Sequence, residues 1–270
     1  MTETAASGEK LPSRSGLALT LMARLGYGAR GVIYLLIGEN ALAATAGGQK
    51  PHGFTDGLQA IGSAPLRIAV TLVLLTGLGC FAGYFLIHGF RDLARQRGKR
   101  HRFAATGLIG DGAIYIGFVA ALASAAFGGQ GGGEGQTQSW FAWAMHLPFG
   151  RVLLGLVGVV ICGCGLAYLA WGLLADLERD LSLPPSEKRL FGPVARYGIG
   201  GRGVAIAFVG AYWLMAAINA NPSQAHQLGQ AMQDVRSRAY GWVLLLALGL
   251  AFVASASFDL LEAVFHKRES

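Results

Sequence analysis

Three apolar segments of the chain are interrupted by a charged side chain at the same place. Arg30, Asp111 and Arg202 each directly precede a glycine near the start of a long apolar stretch. A charge in such surroundings costs about 3 kcal/mol unless it is paired or hydrated. If the three side chains meet, one carboxylate lies between two guanidiniums. That set would be an anion gate or a site for lipid headgroups at the cytoplasmic mouth of a pathway, or else an ion-pair cluster that fixes the order of the hairpins.

A second polar pair, Glu39 and Asn40, falls about halfway through the first apolar stretch. A carboxylate there is costly unless it is neutral or paired. Glu39 could relay protons or bind a cation, or it could be a protonated, hydrogen-bonded core residue. The other two stretches have Ala120 and Ala211 at this position, so the pattern does not predict a threefold cation site.

The three charges belong to a segment that occurs three times. Its copies, Arg24–Tyr34, Ala105–Tyr115 and Arg196–Ile206, align without gaps and share glycines at two positions. These glycines are Gly26 and Gly31, Gly107 and Gly112, and Gly198 and Gly203. Each copy opens a long apolar stretch. The repeat therefore predicts a tandem array of three similar two-helix membrane hairpins.

The composition is typical of an integral membrane protein. The 270 residues are 53% hydrophobic and 14% charged, whereas a soluble domain carries about 25% charged residues. Six stretches supply the roughly 20 residues of a bilayer crossing. They are Tyr27–Ala46, Arg67–Phe90, Ala105–Phe127, Arg151–Ala175, Gly198–Ala220 and Tyr240–Phe265.

These stretches predict an all-α integral membrane fold. Its six transmembrane helices form three tandem two-helix repeats, arranged about a pseudo-threefold axis. The predicted boundaries are an N-terminal cytoplasmic tail over 1–22, repeats over 23–97 and 98–180, and a third repeat with a short cytoplasmic tail over 181–270.

The basic residues predict the orientation of the chain. The net charge is +7, and 17 of the 22 Lys and Arg residues lie on one side of the predicted spans. By the positive-inside rule that side is cytoplasmic, and it holds both termini. We therefore expect a multi-pass protein of the cytoplasmic (inner) membrane. Since topology accounts for the basic charge, no nucleic-acid partner is predicted.

Two of the connections between predicted spans carry further signals. Trp140, Phe141 and Trp143 suit an aromatic belt at the membrane interface. Gly128–Gly135 reads as a flexible linker, and Phe54–Arg67 as a short amphipathic helix on the non-cytoplasmic side.

The chain offers little to catalysis or to a cofactor. It lacks Gly-x-Ser-x-Gly, His-Glu-x-x-His, Walker and Cys-x-x-Cys motifs. His88 has no partner histidine for haem. Cys80, Cys162 and Cys164 all fall inside predicted spans, where buried small apolar residues are expected. We predict no catalytic residue, no metal site and no cofactor.

At Met22–Tyr34 the chain reads MARLGYGARGVIY. This segment resembles the ARxGYxARGxxY-like pattern that opens the tandem repeats of DUF1206, a bacterial membrane family of unknown function. Leu147–Leu156 resembles the start of the second helix of that family's repeat. The resemblance extends from Met22 to Arg268 and implies three repeats, six spans and no particular activity. Asp111 stands where the pattern has arginine.

Three functions are compatible with this sequence. We favour a non-enzymatic structural or accessory component that binds lipid, a larger membrane complex or further copies of itself. The alternative is a small channel or transporter along the pseudo-threefold axis, although Val32–Gly38 offers only Tyr34 as a polar lining group. A lipid-modifying enzyme would need helix-end carboxylates, which are too common to support that function alone. These are Asp92, Asp176, Asp259 and Glu262.

Overall fold

The computed structural model describes residues 14–46, 51, 58, 63–94, 99–127, 134–174 and 185–265. Within these ranges the chain forms eight α-helices and one 3-10 turn, and no strand. The helices are α1 (Arg14–Thr45), α2 (Ala64–Ala94), α3 (Lys99–Phe127), α4 (Glu134–Met145), α5 (Gly150–Leu174), α6 (Pro185–Ile218), α7 (Leu228–Arg236) and α8 (Gly241–Phe265), with the turn at Pro222–Gln224. The all-α prediction is confirmed for the described residues.

Some predicted segments lie outside the described residues. They are the first 13 residues of the N-terminal tail, most of Phe54–Arg67, and positions 128–133 of the glycine linker.

Four of the described helices are long and apolar enough to cross a membrane. They are α2, α5, the Gly192–Ile218 part of α6 and the Gly241–Val264 part of α8. Helix α3 contains a shorter apolar stretch, Leu108–Ala120. Helix α1 is 32 residues long, but Arg24, Arg30 and Glu39 lower its hydropathy. The helices therefore have the character of a membrane protein.

The six long helices lie side by side as a ring that is open at one place. Helix α1 packs on α2, α2 on α3, α5 on α6, α6 on α8, and α8 on α1. Helices α3 and α5 make almost no direct contact through the described residues. We call α1–α2 hairpin 1, α3–α5 hairpin 2 and α6–α8 hairpin 3, so the ring is open inside hairpin 2.

One glycine of the repeat lies at each contact between successive hairpins. Gly31, Gly112 and Gly203 each face a small residue and, one turn further on, a leucine of the neighbouring antiparallel helix. These pairs are Ala256 and Leu260, Ala82 and Leu86, and Gly165 and Leu169. A Cβ added at Gly203 would lie 2.5 Å from the Leu169 backbone nitrogen. Small residues permit this approach, which maximises van der Waals contact between helices in lipid.

Hairpins 1 and 3 also close internally at matching positions. In hairpin 1 the contact is between Gly77 and Ala29, and in hairpin 3 it is between Gly201 and Ala251. The matching residue of α3 is Gly110, and among the described residues beyond its own turn of helix no heavy atom lies within 4 Å of the place where its Cβ would be. The two helices of hairpin 2 are therefore apart where those of the other two hairpins touch.

Side-chain exposure follows the same division. Val160 of α5 is 57% exposed, whereas its counterpart Ala251 is 1% exposed. Ile114 of α3 is 56% exposed, whereas its counterpart Ala205 is 2% exposed. Cys164, predicted to be buried, is exposed because α3 does not pack against this face of α5.

The predicted aromatic belt is divided between surface and core. Trp140 and Trp143 are exposed on α4, with their ring centroids 5.6 Å apart. Phe141 is instead buried, and its ring lies edge-on to Trp213, 5.5 Å away. The Phe141 ring therefore faces the protein, because α4 turns this side chain onto the end of α6, and its level in the membrane stays a prediction.

The close packing of α5 on α6 can be tested with two glycines on one helix. A methyl group at Gly165 would overlap the backbone of Ala207, whereas one at Gly163 meets nothing within 4 Å. We expect Gly165→Ala to destabilise the protein by about 1–3 kcal/mol, and Gly163→Ala to leave stability unchanged or raise it. Thermal unfolding in detergent, followed by tryptophan fluorescence, measures the difference. Equal stability of Gly165→Ala and wild type would contradict the close approach.

Candidate functional site

Arg30 of α1 lies inside the ring and forms a bidentate ion pair with Asp259 of α8. Its Nε donates to Oδ2 at 2.7 Å, and its Nη2 donates to Oδ1 at 2.6 Å. The Asp259 side chain is 1% exposed. Two parallel charge-assisted hydrogen bonds are the strongest geometry for this pair of groups. The pair joins the first long helix to the last.

The remaining surroundings of Arg30 are aromatic. Its Nη1 donates to the Tyr115 hydroxyl at 3.1 Å, which connects α1 to α3. The guanidinium carbon lies 5.0 Å from the Phe81 ring centroid and 5.1 Å from that of Tyr27. Aromatic faces attract a cation at these distances, so they offset part of its desolvation.

Arg202 of α6 occupies the corresponding position in hairpin 3 and has no carboxylate partner among the described residues. Its Nη1 donates to the Tyr34 hydroxyl at 3.2 Å. The guanidinium carbon lies 4.7 Å from the Tyr168 ring centroid and 5.4 Å from that of Tyr34. Its Nε is buried, and no partner for it lies in the described part of the chain.

The predicted arrangement of Asp111 between the two arginines does not form. Both guanidiniums act electrostatically on Asp111, but within the described chain its carboxylate makes no hydrogen bond or ion pair with either of them. Arg30 pairs with Asp259 instead, because α8 places that carboxylate directly against α1. The structure therefore brings the three predicted charges into one region but pairs only Arg30.

The shared packing register explains why the three charges differ. It places Arg30, Asp111 and Arg202 opposite one position of the neighbouring second helix. That position is occupied by Asp259, Phe85 and Tyr168, respectively. The result is an ion pair at Arg30, a cation–π contact at Arg202, and no matching group at Asp111.

The hydrogen bonds from arginine to tyrosine also connect equivalent positions of successive hairpins. Arg30 donates to Tyr115 of hairpin 2, and Arg202 donates to Tyr34 of hairpin 1. The third link of this cycle would run from Asp111 to Ile206, and neither side chain can supply it. The polar network is therefore interrupted at hairpin 2, where the ring is also open.

The site lies further from the helix ends than the predicted spans imply. Arg30 is sixteen residues after the first residue of α1, or about 24 Å along the helix, since α1 begins at Arg14 and not at Tyr27. Glu39 and Asn40 are more than two turns beyond Arg30. Glu39 is exposed on α1 and Asn40 is half-buried. The structure does not bring Glu39 to the cluster of Arg30, Asp259 and Arg202.

The fold and site define a helical membrane protein made of repeated hairpins with a charged and aromatic centre. A family model described as Domain of Unknown Function (DUF1206) matches residues 106–175 and 197–266. The chain belongs to this family, and the predicted resemblance is confirmed. The two matched segments begin 91 residues apart, which is also the spacing from Asp111 to Arg202.

The chain is also similar to a protein of Bacillus subtilis (strain 168) called "Uncharacterized protein YxxB". The two are 21% identical over 246 residues, which cover 90% of this chain and 89% of the relative. No solved structure matches the chain.

The buried ion pair can be tested by removing its charges singly and together. Arg30→Gln or Asp259→Asn leaves one unpaired charge in the ring, and we expect a loss of about 3–5 kcal/mol of unfolding free energy. The double variant should lose less than the sum of the two, because no uncompensated charge remains. Thermal or chemical unfolding in detergent measures this coupling, with the exposed Arg238→Gln as control. Additive losses would show that the two side chains do not interact.

Proposed function

We propose that this protein is a non-enzymatic, six-span accessory protein of the cytoplasmic membrane that binds a lipid molecule in the opening of hairpin 2. The observation that carries this proposal is that the described residues of α3 and α5 make almost no contact with each other. The corresponding two helices pack against each other in hairpins 1 and 3.

The six-span arrangement rests on how α1 and α3 pack. Both lie in the ring beside helices that are apolar enough to cross a membrane. The charge of Arg30 is neutralised by Asp259, which reduces the cost of placing α1 in lipid. The common register at Gly31, Gly112 and Gly203 supports a pseudo-threefold arrangement of the three hairpins.

A lipid is the occupant that best fits the opening. Ile114 and Phe118 on α3 and Val157 and Val160 on α5 expose apolar surface along it. In a bilayer, two helices that do not touch must be separated by other atoms, since an empty gap forfeits dispersion contacts on both sides. Acyl chains supply those contacts, and no specific protein partner is needed.

The channel alternative has less support. Side chains of Arg30, Tyr34, Tyr115 and Arg202 meet between the first helices of the three hairpins, where a central path would run. The lipid-enzyme alternative is weakened at Asp259, because both oxygens of that carboxylate are engaged by Arg30. Asp176 lies outside the described residues.

Lipid retention can be tested with matched tryptophan substitutions on α5. Val160→Trp fills the opening, whereas Val152→Trp adds the same group at a position that is exposed in all three hairpins. We expect native mass spectrometry of gently solubilised protein to detect one retained lipid in wild type and in Val152→Trp. The Val160→Trp variant should lose it.

Two outcomes would contradict the proposed occupant. If wild type carries no lipid beyond the background of Val160→Trp, the opening is not a lipid site. If wild type instead carries a stoichiometric protein that Val160→Trp excludes, the opening is a docking site for that partner.

The proposed orientation predicts that both termini face the cytoplasm. Seventeen of the 22 basic residues lie on that side of the predicted spans. A reporter that is active only in the cytoplasm should therefore give signal when it is fused to either end of the full chain. Signal from one end alone would indicate an odd number of spans and would contradict the three-hairpin arrangement.

A further inference from the structure

Arg202 lacks the anion that a buried guanidinium ordinarily has. The residue is 9% exposed, and its Nε has no partner among the described residues. Among the described residues its side chain makes one hydrogen bond, which Nη1 donates to the neutral Tyr34 hydroxyl at 3.2 Å. The two nearest aromatic faces lower the cost of the charge, but they do not satisfy its remaining donors.

Asp111 presents the opposite deficiency. It is half-buried and makes no hydrogen bond or ion pair with the described part of the chain. By the register shared with the other hairpins, Phe85 lies at the position opposite Asp111, and Ile206 replaces the tyrosine of the next hairpin. Neither apolar side chain can donate a hydrogen bond to the carboxylate.

These two incomplete groups border the same opening. Arg202 lies over the ring of Tyr168, which belongs to α5. Asp111 lies on α3 directly after Gly110, the position at which the described residues of hairpin 2 make no contact across the opening. A guanidinium and a carboxylate, neither with an oppositely charged partner among the described residues, therefore lie at one end of an otherwise apolar gap.

We infer that hairpin 2 binds a phospholipid with a zwitterionic headgroup, whose phosphate is held by Arg202 and whose primary ammonium is held by Asp111. This inference rests on the proposed lipid binding and names the lipid class. Arg30 and Asp259 already neutralise each other, so the charges left at the opening are one positive and one negative. A headgroup with one charge of each sign complements both, whereas a purely anionic headgroup would bring its phosphate to Arg202 and leave Asp111 unpaired.

The apolar side chains along the opening are consistent with a lipid whose headgroup lies at Asp111 and Arg202. Ile114 and Phe118 follow Asp111 along α3, one and two turns further from the predicted cytoplasmic side. Both are exposed to the opening side of the helix where their counterparts in hairpins 1 and 3 are more buried. A headgroup at Asp111 and Arg202 would therefore direct its acyl chains past these residues toward the middle of the bilayer.

The experiment compares two phospholipids that have identical acyl chains and differ only in headgroup. Delipidated full-length protein is titrated with phosphatidylethanolamine or phosphatidylglycerol, and native mass spectrometry gives a Kd for each. We expect tighter binding of phosphatidylethanolamine. Asp111→Asn should remove this preference, weakening phosphatidylethanolamine about tenfold, the factor expected for one lost charge-assisted hydrogen bond. Its effect on phosphatidylglycerol should be small.

Arg202→Gln should weaken both lipids, since both carry the phosphate. Because this buried substitution could unfold the protein, Arg202→Lys and thermal unfolding accompany it, and Asp111→Asn provides an independent test at a half-buried position. Arg238→Gln, at an exposed turn on the other side of the membrane, is the matched charge control and should change neither Kd.

The possible failures are distinguishable. Binding of both lipids with equal Kd, or a preference that survives Asp111→Asn, overturns the headgroup assignment and leaves lipid binding in hairpin 2 intact. If neither lipid binds, and Val160→Trp behaves as wild type, the proposed function itself fails.

Discussion

The buried ion pair between Arg30 and Asp259 is the interaction on which the ring depends most. It joins Arg30 of α1 to Asp259 of α8, two residues that are 229 positions apart in the chain, and so links the first long helix to the last. Removing one charge of this pair costs more free energy than replacing both. The pair contributes modestly relative to an apolar pair of the same volume, but either charge alone is costly in lipid. The ring is therefore closed at this point by the need to keep both groups matched.

The equivalent contacts of Arg202 and Asp111 have weaker electrostatic complementarity than the pair of Arg30 and Asp259. At Arg202 the carboxylate is replaced by the ring of Tyr168, which attracts the cation but accepts none of its hydrogen bonds. At Asp111 the opposite residue is Phe85, whose apolar ring offers the carboxylate neither a hydrogen bond nor an ion pair. The hairpin that carries Asp111 is also the one whose two helices make almost no contact through their described residues. Loss of polar matching and loss of helix contact thus coincide in hairpin 2.

Much of this fold could be predicted from the sequence, because the tandem repeat indicates which helix positions are equivalent. The offset of 91 residues between the second and third copies predicts which glycines lie at equivalent helix contacts, and Gly112 and Gly203 do so. The repeat of the first helices does not predict Asp259 as the partner of Arg30, because it does not fix the register of the second helices. The same offset of 91, applied to Tyr168, leads directly to Asp259. The opening in hairpin 2 gives no comparable signal, since Ile114 and Val160 read as ordinary apolar residues.

The two helices of hairpin 2 gain little contact energy from each other, and in the proposed function a bound lipid supplies the missing contacts. Two of the three hairpins achieve internal closure with small residues, Gly77 against Ala29 and Gly201 against Ala251. Packing of this kind is a main source of helix association in lipid, where no hydrophobic effect drives helices together. The described residues of hairpin 2 do not pack in this way, so hairpin 2 lacks the contact energy that hairpins 1 and 3 gain. Under the proposed function a lipid of the bilayer occupies this gap, and Arg202 and Asp111 at its end select the headgroup.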